Sequence, residues 1–429
     1  MIQDYSIRNE FSIYNAKQFI NSILSEKMYV FVGKTTEWPD ESDPPTPVSS
    51  EQSMIDAWDN MLVVKRIQQA DFTQAVAKNV WQTGTTYIPW DSEDGLIMNK
   101  KFFVITSDNR VYKCLDAIPN TPSTVEPTDT GISPVRLSDG YTWKFMYDLS
   151  SQQLEKFNDN ETIPVKYLTA DDSSLQWQVQ TYAVPGTINR IEVLNGGSGY
   201  TTANIVIEGD GGNASATATI ENGSIKYITI TNQGSGYTWA KITIEGQSSV
   251  KATARPVLSP IKGHGWNPVE ELFGMYVITS LTFDNDEDGK FLTDISFRQL
   301  GLIINPTLYN SSTVANLVGC YAQYLQLNVG SLSGGINDGE YLNNTTTGQE
   351  HVAQVITTKS NKVYVNCLKG PISVNDLLQG EESGSTFEVM TKVNPIMSAY
   401  SGDTLYVENR SAIQKVENQS ETYRLIVKF

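Results

Sequence analysis

Hydrophobic positions along this chain fall mostly in short runs closed by turn residues, which is the pattern of a β-rich protein. The clearest run is Phe297 to Pro306. It is apolar, β-branched and stopped by Asn305-Pro306, so it predicts a buried strand. Residues 11–26 place Phe11, Ile13, Tyr14, Phe19, Ile20, Ile23 and Leu24 at mostly helical spacing and predict a helix. Met28 to Val32 predicts a strand, 51–61 a short amphipathic helix, and Leu62 to Ile67 another strand. Phe102 to Thr106 and Val111 to Leu115 predict a hairpin across Ser107-Asp108-Asn109. Tyr141 to Tyr147 predicts a strand that follows a tight Asp139-Gly140 turn. Two loops interrupt the pattern, one dense in proline at 39–47 and one rich in Pro, Thr and Ser at 119–137.

Segment 185–261 repeats. Ile191 to Thr201, with Asn195-Gly-Gly-Ser-Gly-Tyr200, matches Ile228 to Thr238. Ile205 to Gly209 matches Ile242 to Gly246. Gly199 recurs as Gly236 and Gly209 as Gly246, an offset of 37 positions. Ala216-Thr-Ala218 aligns with Ala252-Thr-Ala254 after one deletion. Each unit reads as three strands and buries only one face alone, so the two are expected to pack on each other or on the body. Next, Asn267 caps and Pro268 opens a short helix ending at Gly274. Met275 to Phe283 and Thr293 to Ile304 predict two strands around an acidic turn. Residues 307–400 read as β-rich, and Thr422 to Phe429 as a terminal strand tied into a sheet.

The expected fold is mainly β with a few short helices, multidomain: a β-rich α+β chain with a central body and two inserted β modules. The body takes 1–184 with 262–306 and 401–429. The inserts are 185–261 and 307–400, and the 297–306 strand is expected to share the body with Leu425–Phe429.

Composition narrows the function. Thirty-one glycines and 10% aromatics suit many turns and packed strands. A net charge of −17 argues against a general nucleic-acid surface. Three separated cysteines form no disulfide framework and fit assembly in a reducing cytosol. No apolar run approaches the ~18 residues of a membrane span. Met1 to Tyr5 lacks the pattern of a signal peptide.

Candidate chemistry is sparse. Asp284-Asn-Asp286-Glu-Asp288-Gly289 has the opening spacing of a calcium loop, but position twelve is Ile295 and the flanks read as strands, so a solvated hairpin tip is the simpler reading. The Gly-Ser-Gly-Tyr elements lead into strands rather than helices and read as turns, not phosphate loops. Tyr200, Tyr237 and Trp239 offer stacking faces for a glycan. His264 reads as a turn residue or hydrogen-bond donor. Glu270 and Glu271 point apart and complement a helix N-terminus. Asp40, Glu41, Asp43, Asp91, Glu93 and Asp94 read as solvated loop charges. No catalytic, cofactor-binding or metal-binding residues are assigned, and no cofactor is expected.

One resemblance gathers these features. Tyr29-Val-Phe-Val-Gly33-Lys-Thr-Thr-Glu-Trp38, Met54-Ile-Asp-Ala-Trp58, Val111 to Asp116, Glu126-Pro127, Asp139 to Tyr147, Phe297 to Pro306 and Ser401 to Arg410, with the closing Thr422 to Phe429, occur in a shared order. The set resembles the baseplate wedge proteins of contractile-tailed bacteriophages, the product-of-gene-eight family. The resemblance covers about residues 15–180, 275–306 and 400–429, and leaves out the repeat and the 307–400 segment. It implies a non-enzymatic structural protein of the virion tail baseplate, assembled in the host cytoplasm. It implies a homodimer touching other baseplate wedge proteins and fibre-attachment proteins; the 39–47 and 119–137 loops, which have no core of their own, are the candidate gripping arms. A glycan-binding tail adhesin is the alternative. A β-rich glycan hydrolase would need two carboxylates roughly 5 to 9.5 Å apart, and no pair in the sequence recommends itself.

Overall fold

The computed structural model describes residues 5–429, with side chains from residue 10 onward. The leader reading at Met1–Tyr5 lies, as far as Asp4, outside the described residues. Strand makes up 42% and helix 12%, so the protein is mainly β, with five α-helices among the described residues. Several of its sheets are antiparallel, and one sheet closes into a six-stranded barrel. The chain divides into two compact units. The first holds Met1–Ile20, Thr73–Thr279 and Leu425–Phe429, and the second Asn21–Phe72 and Ser280–Arg424.

The second unit is built on a five-stranded sheet in the order Cys320–Ala322, Met61–Arg66, Met28–Gly33, Ile295–Ile304, Asp403–Lys415. Met28–Gly33 is buried at every position. That explains why its sequence is continuously apolar rather than alternating. Tyr29, Phe31, Trp58, Met61, Val64 and Ile303 form the core beside it. Gly301 sits opposite Phe31 in the ladder. A Cβ there would run into the Phe31 ring and the Tyr406 carbonyl.

In the same unit, Leu325–Val329, Lys362–Cys367, Gln349–Lys359, Tyr341–Asn344, Leu377–Gly380 and Thr386–Val393 close into the barrel. Leu327, Leu342, Val355, Val363, Leu378 and Phe387 fill its interior. Closure removes the free edges that so many short strands would otherwise expose.

In the first unit, Phe103–Ile105, Arg110–Asp116, Thr142–Asp148 and Val135–Arg136 form one sheet. The predicted hairpin and Asp-Gly strand are both part of it. Val111 and Met146 enter one core, and Tyr112, Cys114, Trp143 and Phe145 enter another. Two helices that the hydrophobic pattern does not announce, Ser151–Phe157 and Leu175–Thr181, are capped by the Ser150 and Ser174 side chains.

The repeat segment has its own core of Ile191, Tyr200, Ile228, Tyr237, Ile242 and Ile244. A four-stranded sheet, ordered Gly212–Glu221, Ser224–Ser235, Ile188–Asn195, Thr253–Leu258, faces a two-stranded sheet of Asn204–Gly209 and Ala240–Glu245. Ile191 opposes Ile228, its own repeat equivalent. Val206 likewise opposes Thr243. The two repeats are thus related by a local dyad that passes through both sheets. Gly197 and Gly234 have φ of 65° and 62°, and Gly199 and Gly236 have φ of 81° and 77°. Asn195 Oδ1 accepts from Gly197 N at 2.9 Å, and Asn232 Oδ1 from Gly234 N at 3.0 Å. The Gly-Ser-Gly-Tyr elements are therefore matched Asx-closed turns, with glycine wherever the backbone turns left-handed.

The structure corrects the third repeat block. Ala216 opposes Ile230 and Ala218 opposes Ile228. Ala254 opposes Val193 and Pro256 opposes Ile191. The equivalent of Ala216-Thr-Ala218 is therefore Ala254-Arg-Pro256, reached by an insertion rather than a deletion. A second correction concerns the two apolar stretches expected to share one body. Ile295–Ile304 pairs with Asp403–Lys415 in the second unit, whereas Leu425–Phe429 belongs to the first. There Phe429 N donates to Met275 O at 3.0 Å, and the Phe429 ring packs 5.5 Å from Phe19.

Gly301→Ala should lower the stability of the second unit by about 1–3 kcal/mol, because the ring and carbonyl facing it have no room to retreat. Urea unfolding followed by tryptophan fluorescence is expected to show an earlier midpoint.

Candidate functional site: a buried lysine, glutamate and histidine network

The short helix Pro268–Glu271 starts where sequence reading puts it, with Asn267 Oδ1 accepting from Glu270 N at 3.4 Å. Its two carboxylates do point apart. Glu270 is exposed and pairs with Lys17 at 3.0 Å. Glu271 turns inward and is buried. Its Oε1 accepts from Gly265 N at 2.7 Å and Asn267 N at 3.3 Å. Its Oε2 takes Lys113 Nζ at 2.8 Å and faces His264 Nδ1 at 3.2 Å. His264 Nε2 lies 2.6 Å from Asn189 Nδ2. The arrangement is satisfied when Nδ1 carries the proton and donates to Glu271, and Nε2 accepts from Asn189. Trp90 closes the cluster, with Lys113 Nζ 4.1 Å from its ring and His264 edge-on at 5.0 Å.

Lys113 and Lys144 are direct cross-strand partners, and both are buried. Like charges so placed repel. Glu271 is the carboxylate that offsets them. Burial would raise its carboxyl, but Lys113 and the His264 hydrogen bond outweigh burial and hold it at about 2. Burial, with Lys113 beside it, pushes His264 down to about 4. Burial lowers Lys144 to about 8, and also lowers Lys113 against the pull of Glu271. Lys144 Nζ donates to the Ile132 carbonyl.

A polar cleft of about 530 Å³ adjoins the cluster, lined by Lys144, His264, Asn189, Thr187, Arg136 and the Thr231–Gly234 turn among others. Both His264 ring nitrogens and the Glu271 oxygens are engaged within the protein. The arrangement locks a helix, a loop and two strands together.

A second cluster ties the repeat to the loop before it in sequence. Asp91 is 4% exposed. It receives Arg190 at 2.8 Å and also Arg255, which reaches Glu93 at 3.0 Å and pairs with Glu192. Burial opposes ionisation of Asp91, but the Arg255 hydrogen bond and both guanidinium charges keep its carboxyl below the usual range. The reading of Asp91 as a solvated loop charge is thereby overturned. Glu41 keeps its contact with solvent but is not free. Its carboxylate takes Arg298 Nε at 2.5 Å, so it clamps the 295–304 strand.

The remaining sequence candidates are placed as follows. In the Asp284–Gly289 turn, Glu287 is paired with Lys65 at 2.6 Å, and Asn285 Oδ1 accepts from Asn418 N at 2.8 Å. Among the described residues no group of three or more His, Cys, Asp or Glu is arranged to hold a metal. Tyr200 and Tyr237 are buried in the repeat core, while Trp239 is exposed. Two of the three proposed stacking faces are therefore closed to a glycan. The 39–47 loop is latched to a strand edge, with Trp38 Nε1 donating to Arg410 O at 2.9 Å and Asn409 Nδ2 to Pro45 O at 2.7 Å. The 119–137 loop is held by Asp139 Oδ2, which accepts from Ser123 Oγ, Thr124 N and Val125 N at 2.9–3.1 Å.

Sequence reading missed Lys113, Lys144, Arg190 and Arg255. The available signal was a lysine inside an otherwise apolar strand, as in Val111-Tyr-Lys-Cys-Leu and Trp143-Lys-Phe-Met. Compared with known proteins, the chain matches no family model and no curated protein.

Glu271→Gln should destabilise the first unit by ~3–5 kcal/mol, because it strands the Lys113 ammonium in the core. Lys113→Met combined with Glu271→Leu should recover much of that loss in the same urea titration.

Acid should loosen this cluster. The unfolded chain protonates His264 below about 6.5 but the folded chain only near 4, so stability falls as pH drops through that window. Glu271 adds a loss between 4.5 and 2, where the unfolded carboxyl takes up a proton that the folded one refuses. Urea midpoints measured from pH 7.5 down to 4.5 should decline, and His264→Gln should flatten most of the slope.

Proposed function

We propose that this protein is a structural, non-enzymatic component of a contractile bacteriophage tail. In this reading it is a dimeric baseplate wedge subunit linking the inner wedge scaffold to peripheral fibre-attachment proteins in the virion. Assembly takes place in the host cytoplasm.

One observation carries the reading. The segments that support the resemblance are scattered from Tyr29 to Arg410 in sequence, yet within each compact unit those that fall there pair with one another. Met28–Gly33 pairs with Ile295–Ile304, which pairs with Asp403–Lys415. Trp58, from the Met54–Trp58 motif, packs into the same core. The loop after Trp38 lies along the outer strand. In the other unit, Val111–Asp116 and the Asp139–Tyr147 motif form paired strands through Arg110–Asp116 and Thr142–Asp148. Short motifs shared by chance would have no reason to converge in this way; motifs shared through a common fold would. A strut also needs modules that keep their shape under load. The closed barrel, the latched loops and the buried ion network suit that role, because tail rearrangements move packed domains as blocks.

Light scattering on the purified chain should give about twice its 47.6 kDa. Co-expression with the wedge and fibre-attachment proteins encoded beside it should yield a stable complex. A chain that stays single and retains neither protein at micromolar concentration would sink the reading.

A further inference from the structure

The local dyad in the repeat makes its two outer strands equivalent, yet they are treated differently. Thr253–Leu258 carries Arg255 and Pro256 and is bound to Asp91. Charge and proline are the usual means of blunting a sheet edge. Its counterpart, Gly212–Glu221, has Thr217 and Ala218 at those positions. It pairs with Ser224–Ser235 on one side alone. No charge falls between Gly212 and Ile220, and exposed positions alternate with half-buried ones along its length.

Proline also shows which way the backbone points. Pro256 opposes Ile191 and has no N–H to give it. Ile191 therefore makes its ladder bonds toward Ile228. By the dyad, Ile228 bonds toward Ile191, so the N–H and C=O of Ala218, and of Ala216 two residues before it, face outward from the free edge.

We propose that this edge is a self-association site, where Gly212–Glu221 pairs antiparallel with the same strand of a second copy. A two-fold axis at Thr217 sets Ala216 against Ala218 of the second copy, and the reverse. The outward groups then exchange hydrogen bonds, small apolar side chains meet on the core side, and Ser and Thr meet on the outer side. Charge favours a second copy as occupant. In a chain of net charge −17, most self-contacts oppose like charges, whereas this strand is uncharged from Gly212 to Ile220, and Glu221 at its end is paired with Lys226 and falls opposite Asn213 of the second copy. The repeat itself supplies the precedent, since its two halves already join by antiparallel pairing about a dyad. The inference rests on strand geometry and does not depend on the tail reading.

Sedimentation equilibrium across a concentration series tests it on the full chain. Ala218→Pro copies the tolerated Pro256 and should leave the melting temperature unchanged. It removes two intermolecular hydrogen bonds and should weaken association by at least about tenfold. Thr217→Arg and Thr217→Glu, each placed opposite itself on the axis, should also weaken it, and an equimolar mixture should restore it. Hydrogen exchange at 212–221 should slow with rising wild-type concentration. Wild-type protein that stays monomeric across the whole series would overturn the proposal, as would association untouched by Ala218→Pro and the Thr217 variants, or protection of 212–221 by a different tail protein alone. A dimer that survives all three variants would leave the wedge reading intact and remove only this interface.

Discussion

The Glu271 carboxylate is the constraint around which the first unit is arranged. Two buried lysines face each other across paired strands, a repulsion that a nearby carboxylate offsets. A single carboxylate, entering from a four-residue helix, receives Lys113, His264 and two backbone N–H groups. Because His264 passes the connection to Asn189 in the repeat, one buried charge sets the position of a strand pair, a loop, a helix and the first strand of an inserted module. Replacing such a network by apolar side chains is often neutral for stability. What the network supplies is a unique way for those pieces to fit, since a misplaced piece would leave a buried charge without its partner.

The second unit depends on a different constraint, the management of strand edges. A chain with this much strand exposes many unpaired backbone groups unless something covers them. The barrel covers its own by closing. At the outer strand of the five-stranded sheet, the proline-rich loop does the work. Ala412 N is taken by Glu41 Oε2 at 3.0 Å and the Arg410 carbonyl by Trp38. Proline suits such a latch because it holds an extended shape without needing ladder hydrogen bonds of its own. A loop that reads from sequence as an arm reaching for a partner is already occupied within its own chain.

What could be read from sequence divides along physical lines. The 297–306 strand, the 103–116 hairpin, the Asn267 cap and the Gly-Ser-Gly-Tyr turns rest on local rules, and each stands where those rules put it. The Ser150-x-x-Gln153 capping box was a readable helix signal that the hydrophobic pattern alone passes over. Pairing partners were not legible. Both Asp403–Lys415 and Leu425–Phe429 are plausible neighbours for an apolar strand, and nothing local distinguishes them. Burial of charge was equally hidden. Asp91 and Glu93 sit two residues apart in one loop, but one is buried between two arginines and the other is exposed, because the arginines arrive from a module about a hundred residues away.

The repeat shows how a duplication becomes asymmetric without losing its fold. Its core and turn positions keep the dyad: Ile191 with Ile228 and Tyr200 with Tyr237 in the core, and the exposed Asn195 with Asn232 in matched turns. Its outer positions break it. Arg190, Glu192 and Arg255 occupy one half where Tyr227, Thr229 and Thr217 occupy the other. Only the first set carries charge, and that set meets Asp91 and Glu93. Core residues must satisfy the same packing in both copies, so they resist divergence. Surface residues answer to what each copy touches, and the two copies touch different things. The half with arginines is committed to this chain. The other, open-edged half has the geometry to join another sheet, and the dyad that produced it also fixes which backbone groups it offers.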